Sequence, residues 1–198
     1  MALEKIIRET FKFDNEQLVS ALSESAQIRT FKKNEIIIAK NEIRDDILIN
    51  LSGAFRGFYY DSEGNEITNS ISDETGYFIM SCNPICERSR SYLKAITDMT
   101  TLAFPRKDLH ILSSDYPEIM NYYNEFLLKA SDKHLKTREV CFYLEAKEKY
   151  QWFLETYPNL AHCMQVKDIA SFLQMTPVTL SRIRHQLKNS VETKKAHS

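Results

Sequence analysis

Hydrophobic residues at the start of the chain recur at helical spacing, which predicts amphipathic helix over residues 1–30. These positions are Leu3, Ile6, Ile7, Phe11, Leu18, Ala21 and Leu22. After Ile28 the pattern changes to short runs rich in Ile, Phe, Tyr and Thr, which turn-forming residues separate. Such runs predict β-strands. Their spacing predicts an antiparallel β-barrel or jelly roll over about residues 28–105.

Two turns can be placed within this β-rich region. The segment YYDSEGNEIT, residues 59–68, is predicted to form a β-hairpin, because two β-rich arms flank a turn that contains Gly64. The tripeptide LSG, residues 51–53, indicates a second turn.

From Pro117 the pattern is helical again and predicts one long helix. Its apolar stripe comprises Ile119, Tyr123, Phe126, Ala130, His134, Thr137, Cys141 and Leu144. The stripe can pack on the chain's own barrel or form a two-stranded dimerisation seam. We favour the seam, because so long a helix extends beyond what one small barrel covers. Its polar centre, around Lys133 and His134, predicts a weaker seam there. A further helical segment, EAKEKYQWFLETYP, follows.

Residues 168–187, DIASFLQMTPVTLSRIRHQL, have the pattern of a helix-turn-helix. That motif needs apolar residues on the inner faces of both helices and a small residue where they cross. The apolar positions are Ile169, Leu173, Met175, Leu180 and Ile183, with Ala170 at the crossing. Gln174 stands where glycine is common in the turn, so it must adopt a positive φ or the turn must vary. A plain helical hairpin with a basic face is the other interpretation.

The second helix of this motif carries the candidate DNA-binding residues. Thr176 can cap it, and Pro177 suits its first turn. Residues near the amino end of such a helix reach base edges in the major groove. The candidates on or beside this outward face are Val178, Thr179, Ser181, Arg182 and His185.

The chemistry of these side chains suggests separate roles. Arg182 suits a bidentate pair with guanine, and Val178 a contact with a thymine methyl group. Thr179 and Ser181 can bond phosphate or base. Arg184 and Lys188 are better placed for phosphate, which contributes affinity without sequence information.

Charge is distributed unevenly along the 198 residues, although the whole chain carries only −1. From Met164 to Ser198, six basic residues against Asp168 and Glu192 give +4 and leave −5 for the rest. A basic end on an acidic body is typical of a nucleic-acid-binding domain joined to a partner domain. The apolar fraction of 43% is that of an ordinary globular protein. No apolar run suits a membrane span and the amino terminus lacks a signal-peptide core, so we expect a cytoplasmic protein.

The four cysteines, Cys82, Cys86, Cys141 and Cys163, are scattered. In a reducing compartment we expect free thiols. Cys82 and Cys86 form a C-x-x-x-C pair without a second pair nearby, which is weak evidence for a metal, so no metal site is predicted.

The order of barrel, long helix and helix-turn-helix resembles the CRP/FNR superfamily of bacterial transcription regulators, which join a cyclic-nucleotide-binding-type barrel to a winged helix-turn-helix. FKKNEIIIAKNEIRDDILINLSGAFRGFYYDSEGNEIT is similar to the first strands of that barrel, and SYLKAITDMTTLAF to its later strands. DIASFLQMTPVTLSRIR is similar to the DNA-reading unit, with Ser181 and Arg182 at recognition-helix positions.

The resemblance implies an α+β fold in three parts: a sensor barrel with its amino-terminal helix (1–116), a dimerisation helix (117–141) and a helical helix-turn-helix domain (142–198). It implies a homodimer on two-fold symmetric double-stranded DNA, with half-sites about one helical turn apart. RNA polymerase and a small-molecule effector are the further partners that it implies, and no membrane is involved.

The effector site departs from the family pattern. Members that bind cyclic AMP carry a Gly-Glu pair for the ribose and an arginine for the phosphate. Aligned on Lys94-Ala95, these fall on Phe78-Ile79 and Ser89. Arg88 and Arg90 flank Ser89, but strand alternation turns neighbouring side chains to the other face. We therefore expect no cyclic AMP binding in the usual mode and no cofactor. Arg88, Ser89 and Arg90 stay candidates for an effector pocket of unknown occupant.

Other classes fit less well. No cysteine precedes Cys82, so the amino-terminal cluster that holds iron–sulfur in some members is absent. A cupin-type metalloenzyme needs histidines in the barrel strands, and none of the histidines lies there. With four glycines there is no phosphate loop, and we expect no enzyme. A sensor that regulates a partner protein, with the carboxyl-terminal domain as a docking module, remains the alternative.

Overall fold

The computed structural model of the chain describes residues 2–80 and 88–195. The helices are α1 (Ala2–Phe11), α2 (Glu16–Ser25), α3 (Arg106–Asp115), α4 (Pro117–Tyr143), α5 (Ala146–Thr156), α6 (Pro158–Cys163), α7 (Val166–Phe172) and α8 (Pro177–Lys195). The strands are β1 (Gln27–Phe31), β2 (Ile36–Ile38), β3 (Asp46–Ser52), β4 (Phe55–Tyr60), β5 (Glu66–Ser72), β6 (Phe78–Ile79), β7 (Tyr92–Ala95) and β8 (Met99–Pro105).

The described strands form two sheets, in the orders β1-β8-β3-β6 and β2-β7-β4-β5. In the first sheet β8 pairs antiparallel with both β1 and β3, and Leu102 lies opposite Ile28 on one side and Ile49 on the other. Strands from the start and the end of the β-rich region are therefore neighbours, as in a jelly roll. The predicted α+β fold, with its antiparallel roll, long helix and helical carboxyl-terminal part, is confirmed.

Contacts divide the chain into two compact units. The first comprises Met1–Gly57 and Ile71–Asp132, and the second comprises Phe58–Ser70 and Lys133–Ser198. The second unit therefore includes the tip of the β4–β5 hairpin as well as the carboxyl-terminal helices. Helix α4 contributes residues to both units.

Strand β3 separates two apolar clusters of the first unit, because successive side chains of a strand point to opposite faces. Leu48 belongs to the inter-sheet core, together with Phe55 and Leu93 of the other sheet. Ile49 belongs to the helical core, on the outer face of the first sheet. The other buried members of the helical core are Ile7, Phe11, Leu18, Val19, Leu22, Ala26, Phe78, Leu102 and Phe104.

The predicted turn at residues 51–53 joins β3 to β4, and its glycine is required there. Gly53 has a φ of 90°, which side-chain-bearing residues rarely adopt. A Cβ atom on Gly53 would also collide with the backbone of Asp98 and Met99. The glycine therefore permits both the turn and the close approach of this neighbouring backbone.

The predicted hairpin at residues 59–68 is confirmed by β4, β5 and the loop between them. Asp61 Oδ1 accepts hydrogen bonds from the backbone N–H groups of Glu63 (2.9 Å) and Asn65 (2.8 Å). These bonds, those of Asn65 first, hold the pKa of the Asp61 carboxyl below its usual value. In the same unit the Thr68 backbone N–H donates to Ser171 Oγ at 2.9 Å. The hairpin is thus tied to helix α7.

Most of the predicted apolar stripe on and after helix α4 is turned toward the interior of the chain itself, but His134 and Leu144 are exposed. Ile119, Tyr123 and Phe126 pack against the helical core of the first unit. Cys141, in the second unit, is buried. The apolar side chains that α4 leaves exposed are different ones, Leu128, Leu135 and Phe142 among them. The spacing of apolar residues predicts one apolar face of the helix. In the structure that face packs mainly on the chain's own core.

The wing implied by the family resemblance does not occur in the described residues. Between Arg106 and Lys195 these residues form helices and their connections, with no strand. The sequence after Ile183 explains this at the carboxyl end, since its polar run lacks the β-branched alternation of a hairpin and helix α8 continues to Lys195. The helix-turn-helix is therefore wingless over this range, which corrects the expectation.

Candidate nucleic-acid interface

Helices α7 and α8 meet through the apolar set that the sequence predicts. Ile169, Leu173 and Leu180 are almost fully buried, and Ala170, at the crossing, has no exposed surface. Ile183 is also buried, whereas Met175 is half-buried. Burial of these residues shows that the two helices pack on each other through the inner faces that the helix-turn-helix pattern requires.

The turn between the helices uses an unusual backbone conformation at Gln174. Its φ is 54°, in the left-handed region that non-glycine residues rarely adopt. The Gln174 N–H donates to the Ser171 carbonyl (3.1 Å) and the Met175 N–H to the Ala170 carbonyl (2.9 Å). The positive φ predicted as one of two possibilities is confirmed, so the turn geometry is kept without glycine.

Replacing Gln174 with glycine should stabilise the protein by about 0.5–1 kcal/mol, because glycine has no penalty at positive φ. Thermal unfolding followed by circular dichroism measures the change. Gln186→Gly is the matched control: Gln186 is exposed within α8, where glycine costs about 0.8–1 kcal/mol. If Gln174→Gly destabilises the protein as much as Gln186→Gly does, then Gln174 does not adopt the left-handed conformation.

Thr176 caps helix α8, as the sequence predicts. Its Oγ1 accepts a hydrogen bond from the Thr179 backbone N–H at 3.1 Å. The hydroxyl groups of the two threonines also lie 2.9 Å apart, within hydrogen-bonding distance. This cap holds the amino end of α8, the end that a major groove would admit.

The outward face of α8 is polar and accessible. Val178 is 60% exposed, and Ser181, Arg182, His185 and Lys188 are exposed as well. His185 Nδ1 lies 3.0 Å from Asn189 Nδ2. Thr179 and Arg184 are half-buried. The structure thus places the candidate residues on α8 or at its cap, with Val178, Ser181, Arg182, His185 and Lys188 exposed and Thr179 and Arg184 nearer the buried face of Leu180 and Ile183.

Two basic residues give this face its charge. Arg182 and Lys188 are both exposed and lie within four turns of the capped end of α8. The free N–H groups of a helix's first turn add partial positive charge at that end. An anionic duplex is the macromolecule that such a surface suits electrostatically.

The second unit contains two cysteines, of which Cys141 is buried and Cys163 half-buried. The Cys141 thiol is buried and donates to the Phe172 carbonyl at 3.7 Å. Burial raises the pKa of this thiol, so it stays protonated at neutral pH. Cys141 and Cys163 are free thiols, as expected. Cys82 and Cys86 lie outside the described residues.

The region aligned with the cyclic-nucleotide site is apolar where ligand partners would be needed. Phe78 and Ile79 are buried in β6, Phe78 in the helical core and Ile79 in the inter-sheet core. Ser89 is buried, and its hydroxyl donates to the Ser91 carbonyl at 2.6 Å. Arg88 is exposed and donates to the Asn41 carbonyl at 3.2 Å, and Arg90 is exposed too. Neither charged group of a cyclic-nucleotide site is reproduced at the aligned positions.

Residues 2–80 and 88–195 contain neither a candidate metal site nor a candidate membrane-spanning helix. No cluster of three or more histidine, cysteine, aspartate or glutamate side chains suits a metal ion there. Nor does any helix in those ranges have the length and apolarity to span a bilayer.

The bond between Thr68 and Ser171 is a feature that the sequence reasoning missed. The two residues are 103 positions apart, so no local pattern links them. In the sequence Ser171 has the pattern of an ordinary polar residue of α7. In the structure its hydroxyl accepts a hydrogen bond from the β4–β5 hairpin and so links the hairpin to the helix-turn-helix.

Comparison with known proteins supports the fold through structure alone. No protein-family model matches the sequence, and no curated protein matches it. FixK2 from Bradyrhizobium japonicum is similar in structure with a TM-score of 0.74 at 18% identity, over 83% of this chain and 85% of that one. The c-di-GMP-responsive global regulator CLP of Xanthomonas campestris has a TM-score of 0.72 at 11% identity, over 89% and 93% of the two chains.

A transcriptional regulator of the CRP/FNR family from Thermus thermophilus is similar too. It has a TM-score of 0.69 at 16% identity, over 83% of this chain and 87% of that one. Identities this low establish a shared fold rather than a shared activity. The chain has the fold of CRP/FNR-type regulators.

Proposed function

We propose that this protein is a sequence-specific DNA-binding transcription regulator that acts as a homodimer on a two-fold symmetric operator. The observation that carries the proposal is the helix-turn-helix: a capped recognition helix with an exposed polar face, packed on α7 through a buried apolar set. In this motif the first turns of the second helix contact base edges. Arg182 is the residue to which we assign direct base reading, and Lys188 is assigned to phosphate.

The charge distribution supports the same function. The region from Met164 to Ser198 carries +4, whereas the rest of the chain carries −5. Because the acidic residues belong mostly to the body of the protein, the low net charge does not oppose DNA binding. The basic end supplies the attraction to phosphate.

Exposed apolar residues on α4 support a homodimer. Leu128, Leu135 and Phe142 are 73%, 55% and 68% exposed, and they recur every seven residues along the helix. When two helices pack side by side, apolar residues recur at two positions of each seven-residue repeat, and these three residues supply one of the two. Isolated exposed leucines are common on surfaces, but a heptad series on one long helix fits pairing with a second copy.

The effector of this regulator is not cyclic AMP bound in the usual mode. The positions for the ribose and phosphate partners hold Phe78, Ile79 and Ser89, which supply neither a carboxylate nor a cation. The apolar residues belong to cores that stabilise the roll. These three positions therefore supply no partner for a cyclic phosphate, and a buried charge without a partner costs several kcal/mol.

A salt titration tests DNA binding without knowledge of the operator. Fluorescence anisotropy with a mixed-sequence duplex should give an affinity that falls steeply as salt rises from about 50 to 200 mM. The slope of log K against log salt reports the number of phosphates contacted. Absence of any binding at the lowest salt would overturn the proposal and favour a sensor whose helical domain docks on a protein.

A further inference from the structure

The first unit contains an apolar cavity of about 400 Å³ outside the jelly roll. It lies between the outer face of the first sheet and helices α1 to α4. Its inner part is formed by buried residues of the helical core, including Phe11, Leu22, Ile49, Phe78 and Phe104. Protein interiors hold few voids larger than one water molecule. Since an apolar cavity of about 150 Å³ already binds benzene, this one is large enough for a sizeable ligand.

The polar lining of the cavity is concentrated on one helix face. Apart from tyrosines, its polar lining residues are Arg106, His110 and Ser113, all on α3. They stand at positions i, i+4 and i+7, which lie on the same side of a helix. Arg106 and His110 are exposed, as is the neighbouring lining residue Met120 at 44%. The polar residues therefore mark the open end, while the aromatic residues form the closed one.

The charge at this open end is positive. The described lining contains one arginine and no aspartate or glutamate. No salt bridge among the described residues involves Arg106. A guanidinium group presents paired donors that match a carboxylate, so an anionic group is what this rim would recognise.

We propose that the cavity binds a small amphipathic monocarboxylate, with its apolar body against Phe78 and Phe104 and its carboxylate at Arg106 and His110. A volume of about 400 Å³ lies in the usual range for small-molecule sites, which is about 300–1,000 Å³. The site lies on the face of the first sheet opposite the inter-sheet core, as the assignment of Ile49 and Leu48 to different clusters requires. It goes beyond the proposed DNA binding, and its test needs no DNA.

Isothermal titration calorimetry with decanoate, below its micelle concentration, tests the site in the full-length protein. Decanoate should bind with one-to-one stoichiometry, and decyltrimethylammonium, with the same chain and the opposite charge, should not. Arg106→Gln should weaken decanoate binding about tenfold. The matched control is Lys107→Gln, since Lys107 is an exposed neighbour on α3 that does not line the cavity; it should leave the affinity unchanged.

A further variant tests whether the probe binds in the cavity. Ser113→Trp should abolish decanoate binding by filling the cavity, with circular dichroism checking that the variant is folded. Retained binding in a folded Ser113→Trp variant would overturn the proposal. So would equal binding of decanoate and the cationic probe, equal effects of Arg106→Gln and Lys107→Gln, or no heat at millimolar decanoate. The Arg106 variant alters an exposed side chain, so a failure to fold cannot mask its result.

Discussion

Replacing Leu128 and Leu135 together with glutamate should convert the proposed dimer into a monomer and lower its affinity for a symmetric operator about a hundredfold or more. Both side chains are more than half exposed in the single chain, at 73% and 55%. The substitutions therefore cost the folded monomer little. In the dimer, however, they place charges in an apolar seam, which is strongly unfavourable. Affinity falls because the two recognition helices are no longer joined in one molecule, so each half-site is bound independently.

Analytical ultracentrifugation measures the state of assembly, and fluorescence anisotropy measures DNA affinity. Lys129→Glu is the control: it also introduces a glutamate on α4, at a side chain that is 80% exposed, and removes only the weak ion pair with Glu125. It should leave the protein dimeric. A Leu128→Glu, Leu135→Glu variant that sediments like the parent would show that the seam lies elsewhere.

Arg182→Ala should abolish discrimination at one base pair of each half-site. A bidentate arginine–guanine pair contributes about 1–3 kcal/mol of discrimination, equivalent to about fivefold to about 150-fold in relative affinity. Arg182 is exposed on α8, so the substitution should leave the fold unaffected. Competition between the operator and single-base variants, followed by anisotropy, measures the loss.

Lys188→Ala is the companion variant. Lys188 is also exposed and basic on α8, but we assign it to phosphate. Its loss should weaken binding to all sequences alike and reduce the salt slope by about one. If Arg182→Ala keeps the parent's preference and only lowers affinity, then Arg182 contacts phosphate and the base-reading residue is another one.

The helix-turn-helix could be predicted from sequence almost completely, because its information is local. The spacing of Ile169, Leu173, Leu180 and Ile183 specifies two packed helices, and each of these residues is buried. Thr176 predicts the cap because side-chain oxygens accept backbone N–H groups at helix starts. At Gln174 the sequence left two possibilities, a positive φ or a varied turn, and only the structure decides for the positive φ.

Features that depend on long-range packing were not predictable in the same way. The stripe on α4 that includes Tyr123 and Cys141 could not be assigned to a core or a seam by period alone. The structure packs its first residues against the helical core, buries Cys141, and leaves Leu128 and Leu135, which lie outside the stripe, exposed. The bond from Thr68 to Ser171 likewise joins residues 103 positions apart, which no local pattern links.

The cavity shows a third limit. Arg106, His110 and Ser113 stand at helical spacing in the sequence, a signal that could have been noticed. Their spacing alone indicates only a polar face on a surface helix, the ordinary reason for such a pattern. Only the position of α3 beside the outer face of the first sheet turns this face into the rim of a site. Packing, rather than residue type, supplies that information.

Selection of binding sites from a random-sequence duplex library tests the central claim most directly. The full-length protein, at low salt, should enrich a two-fold symmetric sequence whose half-site centres lie about 10 base pairs apart. The enriched sequence should carry guanine at equivalent positions of both half-sites, and the preference for guanine at those positions should be lost with Arg182→Ala. Recovery of no preferred sequence, or of an asymmetric one bound by a monomer, would contradict a dimeric reader of DNA.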